Sequence, residues 1–350
     1  MKELESISSI QPVNREIYDR VMTNFDAMGK PLRSLGKMET ILAQIGAVQQ
    51  TDRIDITKKG LIIMCADNGV VEEGVTQTGQ EVTGIVAENF LDEKSCVAIM
   101  CKKCGVGLYP IDIGMAFDTP RVEKRKQMHG TKNFTKGPAM MRQQAIYAIT
   151  QGIEMVERLA KEGYRLIATG EMGIGNTTTS SAVTAVLLDV KPEQVTGRGA
   201  GLSSDGLKRK IAAIEQGIQV NSPDKEDAID VLSKVGGLDI AGLTGVFLGG
   251  AIYRIPVMID GFISAVAALC AQRIHPDTKG YMIASHVSKE PAMKMLLEAL
   301  GKEAMLTMDM CLGEGSGAVC AFPILDLATE IYYKMSSFDE IGVDTYVPLD

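Results

Sequence analysis

The sequence predicts an α/β fold: a parallel sheet covered by helices on both faces, with a small helical subdomain built from the two chain ends. Three observations predict it. Short apolar runs of strand length alternate with longer helical stretches. Most runs end in an acid or a hydroxyl, often beside glycine. An amphipathic helix stands near each end of the chain.

Residues 1–30 carry a helical stripe of Ile17, Val21, Phe25 and Met28, starting after the polar Asn14 and stopped by Gly29-Lys30-Pro31. A second helix is expected over Leu35–Val48. Leu61–Ala66 then reads as a buried strand ending in Asp67-Asn68-Gly69. Val106–Tyr109 leads through Pro110 to Asp112, and Tyr164–Thr169 leads to a glycine-rich turn. Ile255–Ile259 ends in Asp260-Gly261, and Tyr281–Ala284 in Ser285-His286. Met305–Met308 is the last expected strand, ahead of Gly313-Glu314-Gly315. Helices are expected over Ala139–Leu159, Ser181–Leu188, Gly206–Gln216, Phe262–Ala271, Pro291–Leu300 and Ile324–Met335, the last followed by an acidic tail. The arrangement is Rossmann-like, with a large α/β domain over 31–324 and a helical subdomain from 1–30 and 325–350. In such sheets ligands sit at the carboxyl ends of the strands, so Asp67, Asp112, Glu171, Asp260, Ser285 and Glu314 are expected along one edge. Each taken alone is a turn residue or helix cap just as readily.

Bulk properties narrow the function. A net charge of −8 argues against nucleic acid as a partner. The start of the chain has no apolar signal region, and no uninterrupted apolar span approaches the roughly 18 residues of a membrane helix, so a cytoplasmic protein is expected. Seven scattered cysteines do not form a disulfide framework, and Cys101-Lys102-Lys103-Cys104 alone is weak evidence for metal. The phosphate-loop, dinucleotide and nucleophile-elbow fingerprints are all missing. His129, His275 and His286 are the only histidines, and none has metal-ligand spacing.

What remains is a set of glycine-rich loops and acids. Gly170-Glu171-Met172-Gly173-Ile174-Gly175-Asn176-Thr177-Thr178 joins a strand end to a helix start, which offers backbone N–H groups and a helix dipole to an anion. Glu171 is an acid where a purely phosphate-binding loop would not want one. Gly197-Arg198-Gly199-Ala200-Gly201 is a second flexible, cationic loop, followed by Lys208, Arg209 and Lys210. Such a trio either supplies charge to a phosphate or forms a solvated helix end. Glu314, flanked by glycines, either projects into a cleft as a general base or sits exposed in a flexible turn.

Together these segments resemble the nicotinate-nucleotide–dimethylbenzimidazole phosphoribosyltransferase family. The matching stretches are Ala66–Val70, Glu73–Thr76, Glu81-Val82-Thr83, Gly170–Thr178, Gly197–Leu202, Arg254–Phe262, Ser285–Pro291 and Leu312–Ala318, in family order. The resemblance implies a pentosyltransferase. It would move 5-phosphoribosyl from nicotinate mononucleotide to a lower-ligand base such as 5,6-dimethylbenzimidazole. The products would be α-ribazole 5′-phosphate, for the nucleotide loop of cobalamin, and nicotinate. It implies no cofactor and no metal. Glu314 then matches the catalytic base and Glu171 a second acid near the ribose. Gly173, Lys210 and Ser288 match phosphate contacts, Gly199, Ala200 and Gly261 the nucleotide lining, and Leu312 a wall of the base pocket. One departure concerns the acceptor. Ile85 stands where many members carry a glutamine, which opens adenine, phenol and p-cresol as alternative acceptors. A homodimer is implied, with a heterodimer as the alternative for phenol-using relatives. A reading of another class is an inactive partner or regulatory nucleotide-binding subunit, against which the retention of Glu314 and Glu171 argues.

Overall fold

The computed structural model describes residues 2–346, with the side chains of residues 2–4 left aside, so the last four residues of the acidic tail lie outside the described residues. The first half contains α1 (Arg15–Asp26), α2 (Lys37–Gln49), β1 (Lys59–Ala66), α3 (Glu81–Leu91), α4 (Cys96–Cys104), β2 (Gly107–Gly114), β3 (Glu123–Lys124) and α5 (Arg142–Lys161). It continues with β4 (Leu166–Met172), α6 (Asn176–Leu188), α7 (Pro192–Val195), α8 (Ser204–Asn221), α9 (Ala228–Val235) and α10 (Leu238–Ile252). The chain then forms β5 (Val257–Ile259), α11 (Phe262–Ile274), β6 (Met282–Ala284), α12 (Met293–Leu300), α13 (Ser316–Lys334) and α14 (Phe338–Ile341).

The sheet is parallel throughout, in the order β3-β2-β1-β4-β5-β6. The period-two alternation of β1 explains the two layers. Ile62, Met64 and Ala66 face a core shared with α5, α6, α9, α10 and α11. Leu61, Ile63 and Cys65 face the other core, with α1, α2, α3, α4 and α13. A strand buried on both faces needs an unbroken apolar run, and the sequence supplies one. The strand order reverses between β1 and β4, and this switch point opens a crevice at the carboxyl edge. Among the described residues, no helix is long and apolar enough to cross a membrane.

Several elements depart from expectation for physical reasons. The apolar stripe of α1 is as expected, and Asn14 caps it by accepting the Ile17 N–H at 3.2 Å. Met305–Met308 is not a strand: only His286 and Leu306 bridge, because the segment lies outside β6 with Met308 exposed. The helix expected over Ile324–Met335 is α13, which starts at Ser316 and runs through Pro323. Proline reads as a break because it removes one hydrogen bond, but Asp260 anchors the helix start by accepting from the N–H groups of Gly315 (3.1 Å) and Ala318 (3.0 Å). β4 runs on to Met172, which places Glu171 in the strand instead of the turn. α10 was not expected because it is apolar all round and shows no amphipathic period. It crosses α5 at Gly152 and Gly245, where a Cβ on either residue would overlap the facing backbone. α3 and α4 were also missed. The end helices pack together: Asn24 Nδ2 donates to Tyr332 Oη at 2.7 Å, and the Phe25 and Tyr332 rings lie 5.0 Å apart.

Candidate active site

A cleft of about 210 Å³ opens at the carboxyl ends of β4 and β5. Glu171, Gly173, Gly199, Ala200, Asp260, Gly261, Ser288, Leu312 and Glu314 line it, drawn from segments far apart in sequence. A larger hollow of about 560 Å³, under α1 and α2, contains none of the motif residues.

The glycine-rich turn after β4 is held from below. Asp67, just past β1, accepts from Thr83 Oγ1 at 2.5 Å and from the Ala116 N–H at 2.8 Å. Thr83 Oγ1 in turn accepts the Ile174 N–H at 3.1 Å, and the Asn68 N–H donates to Ile174 O at 3.2 Å. So Asp67-Asn68 and Glu81-Val82-Thr83 are scaffolding for the turn. Gly173 has a steric reason to be glycine: a Cβ there would overlap the Ala66 carbonyl oxygen. Gly175 adopts φ +93° and starts α6, so the positive end of that helix, at Asn176 and Thr177, lines the cleft.

Lys210 lies behind this turn, fully buried. Its Nζ donates to Thr177 Oγ1 (2.8 Å) and to Gly197 O (3.2 Å). Burial pushes the amine down to about 8, opposed by the nearby Glu290 carboxylate. The cation therefore sits beneath both glycine-rich loops, one step from the cleft through Thr177.

The opposite wall is acidic. Glu171, Asp260 and Glu314 line it, while Glu290, which also lines the cleft, stands on the Lys210 side. Glu171 is buried, accepts from the Asn176 side-chain amide, and accepts the Glu314 N–H at 3.4 Å. Burial holds its carboxyl well above the usual range, and Asp239 and Asp260 add repulsion. Glu314 stands in the left-handed region at φ +62°, between Gly313 at +82° and Gly315 at +89°. This run of positive φ turns its side chain toward the cleft at a cost in backbone strain. One oxygen, Oε2, is shielded from solvent and has no hydrogen-bond partner. Burial raises its pKa, Asp260 raises it further, and the Val97 N–H at the start of α4 offsets part of the rise.

Ile85, on α3, is 58% exposed and is not among the residues that line this cleft. Asn176, Glu290 and His286 line the cleft and were not singled out as site residues. His286 is buried with its ring against Gly317, where a Cβ would overlap it, and Nδ1 lies 3.1 Å from Ser285 Oγ. The signal for it was present, since His286 stands two residues past the end of β6. Among the described residues, no group of three His, Cys, Asp or Glu is placed to hold a metal ion.

The chain matches known proteins over nearly its whole length. A family model described as Phosphoribosyltransferase (DBI_PRT) matches residues 10–343. A nicotinate-nucleotide–dimethylbenzimidazole phosphoribosyltransferase of Acetivibrio thermocellus is 47% identical over 346 residues, covering 98% of this chain and 99% of the relative. One of the same name from Ruminiclostridium cellulolyticum is 46% identical over 348 residues, covering 99% of each. The crystal structure of CobT from Thermus thermophilus superposes with a TM-score of 0.89 at 35% identity, covering 95% of this chain and all of that one.

Proposed function

The chain belongs to the nicotinate-nucleotide–dimethylbenzimidazole phosphoribosyltransferase family, and from that premise we propose how its cleft performs the transfer. The donor is nicotinate mononucleotide, the acceptor 5,6-dimethylbenzimidazole, and the products are α-ribazole 5′-phosphate and nicotinate. The observation that carries this reading is the polarity of the cleft. A cation and a helix N-terminus lie at one end, with Glu290 beside the cation, and Glu171, Asp260 and Glu314 line the cleft from there onward.

The donor phosphate sits at the first turn of α6, over Gly173 and near Ser288, with Lys210 supplying charge from beneath. Gly199, Ala200 and Gly261 border the nucleotide. The ribose and the positive nicotinate ring nitrogen then face the carboxylates. As the bond from C1 of the ribose to nicotinate breaks, positive charge grows on the sugar, and the acidic wall stabilises it. Glu171 is the nearer acid and holds the ribose hydroxyls. The acceptor nitrogen bonds to C1 from the face opposite nicotinate, which turns a β-linked donor into an α-linked product. Its N–H proton passes to Glu314. The burial that raises the Glu314 pKa makes that carboxylate a better base near neutral pH. Leu312, 52% exposed beside Glu314, gives an apolar wall to the acceptor ring. Aligning two rings and excluding water supplies the rest of the rate.

The assembly is a homodimer in this reading, supported by exposed apolar side chains at Ile85, Met308 and Leu312. The working compartment is the cytoplasm, supported by the lack of any membrane-spanning helix among the described residues. The adenine and phenol acceptors raised by Ile85 gain no support, since the relatives are named for 5,6-dimethylbenzimidazole. The test is incubation of the protein with nicotinate mononucleotide and a panel of 5,6-dimethylbenzimidazole, benzimidazole, adenine, phenol and p-cresol, with mass spectrometry of the products. Fastest conversion of 5,6-dimethylbenzimidazole is expected. A product from none of them would remove the reading, and preference for a phenol would replace its acceptor.

A further inference from the structure

The edge of the sheet opposite the cleft carries a second concentration of charge. Just before β1, β4 and β5 begin, a notch of about 340 Å³ is lined by Arg53, Arg165 and Arg254, with Asp55 as its only carboxylate. Asp55 is already engaged: Oδ1 accepts the Thr57 N–H at 2.9 Å and Thr57 Oγ1 at 2.7 Å. Its other oxygen lies 3.7 Å from Arg165 Nε, a loose pair. Among the described residues, the Arg53 and Arg254 side chains make no hydrogen bond and no ion pair.

Arg254 is the unusual member. Its backbone holds φ +54°, a conformation costly for any residue with a Cβ. Its Nη1 is shielded from solvent and has no acceptor. A buried, unbonded guanidinium nitrogen is expensive, and an acceptor supplied from outside would relieve it. Cations here also complement the carbonyl ends of α2 and α10, which terminate beside the notch. That accounts for positive charge in general, but not for three forked donors around a hollow with one occupied acid. Gln49 fixes the walls, accepting the Asp55 N–H at 3.0 Å and donating to Asp55 O at 2.6 Å.

We propose that this notch binds a phosphate monoester dianion. Three guanidinium charges less one carboxylate leave +2, which matches a charge of about −1.5 to −2 on a phosphate monoester at neutral pH. Planar guanidinium groups pair with phosphate oxygens two at a time, which a lysine cluster does not do. The long segment Arg254–Phe262 thus serves two sites: Asp260 and Gly261 face the catalytic cleft from one end of β5, and Arg254 faces the notch from the other.

The test is calorimetric titration of the full chain with inorganic phosphate, and separately with glycerol 3-phosphate, in phosphate-free buffer. Arg254→Gln and the exposed Arg53→Gln are each expected to raise Kd by about tenfold or more, the loss expected for a charge-assisted hydrogen bond. Lys210→Gln, which alters the phosphate end of the catalytic cleft, is expected to weaken only the component of binding that belongs to the cleft and to leave the component lost in Arg53→Gln unchanged. Thermal melts confirm that each variant is folded, and Arg53→Gln keeps the test open if Arg254→Gln is not. The proposal is overturned if neither ligand binds the unsubstituted chain. It is also overturned if Arg53→Gln binds as the unsubstituted chain does, or if only Lys210→Gln weakens binding. Binding of inorganic phosphate without glycerol 3-phosphate would overturn the monoester class.

Discussion

The carboxyl edge of the sheet holds two sets of acids that look alike in sequence and differ in what they have left to give. On the β1–β2 side, both oxygens of Asp67 are occupied, by Thr83 and by the Ala116 N–H. Asp112 accepts the Met115 N–H at 2.8 Å and pairs with Lys126 at 2.8 Å. On the β4–β5 side, Glu171 and Glu314 crowd each other and Asp260, and Glu314 keeps one oxygen without any partner. A strand end recruits acids for scaffolding and for chemistry equally well. Unspent hydrogen-bonding capacity in a low-dielectric cleft sets Glu314 apart, since Glu171 and Asp260 have both oxygens bonded as Asp67 does.

The largest expected effect lies on the unspent side. Glu314→Gln should lower kcat by about a hundredfold or more, the scale of a lost general base, with the donor KM little changed. A near-normal kcat in folded protein would move the proton transfer elsewhere. Next is Lys210→Ala, which should raise the KM for nicotinate mononucleotide by roughly tenfold or more while kcat changes less. An unchanged donor KM would take Lys210 out of the phosphate site. Asp260→Asn should then shift the acid limb of kcat to lower pH, because a charge that raises the Glu314 pKa is gone. A limb that stays in place would show that Asp260 does not reach Glu314 electrostatically.

The smallest effect on rate belongs to the spent side. Asp67→Asn should cost less than about tenfold in kcat, since an amide keeps one acceptor in the scaffold. Its signature is in stability instead. Burial raises the Asp67 pKa from 3.8 to about 6 in the folded chain. The folded state therefore binds the proton more tightly, and this acid's contribution to stability falls as pH rises from about 4 to about 6. Thermal melts should show less of that decline in Asp67→Asn. A hundredfold loss of kcat in this variant would erase the contrast between the two sides.

Much of this was legible in the sequence because strands buried on both faces leave unbroken apolar runs, and β1, β4 and β5 do. The glycine-flanked Glu314 and the turn after β4 were legible because positive φ and close approach demand glycine. α10 was hidden by its uniform burial, and the start of α13 by Pro323, since the capping carboxylate of Asp260 comes from a distant segment. Ile85 was placed beside the acceptor by the family resemblance alone, and it stands exposed on α3. The scaffold role of Thr83 could not be read without the fold, because its partners are Asp67 and Ile174.

The most direct measurement is kcat against pH, with both substrates saturating, for the unsubstituted chain and for Glu314→Gln. The carboxylate must be ionised to accept a proton, and its folded pKa lies above the ordinary value. So kcat of the unsubstituted chain should fall with acid along a limb centred above about 4.3, the usual value for glutamate. The small residual rate of Glu314→Gln should lack that limb. The same limb in the variant would contradict the assignment of Glu314 as the base.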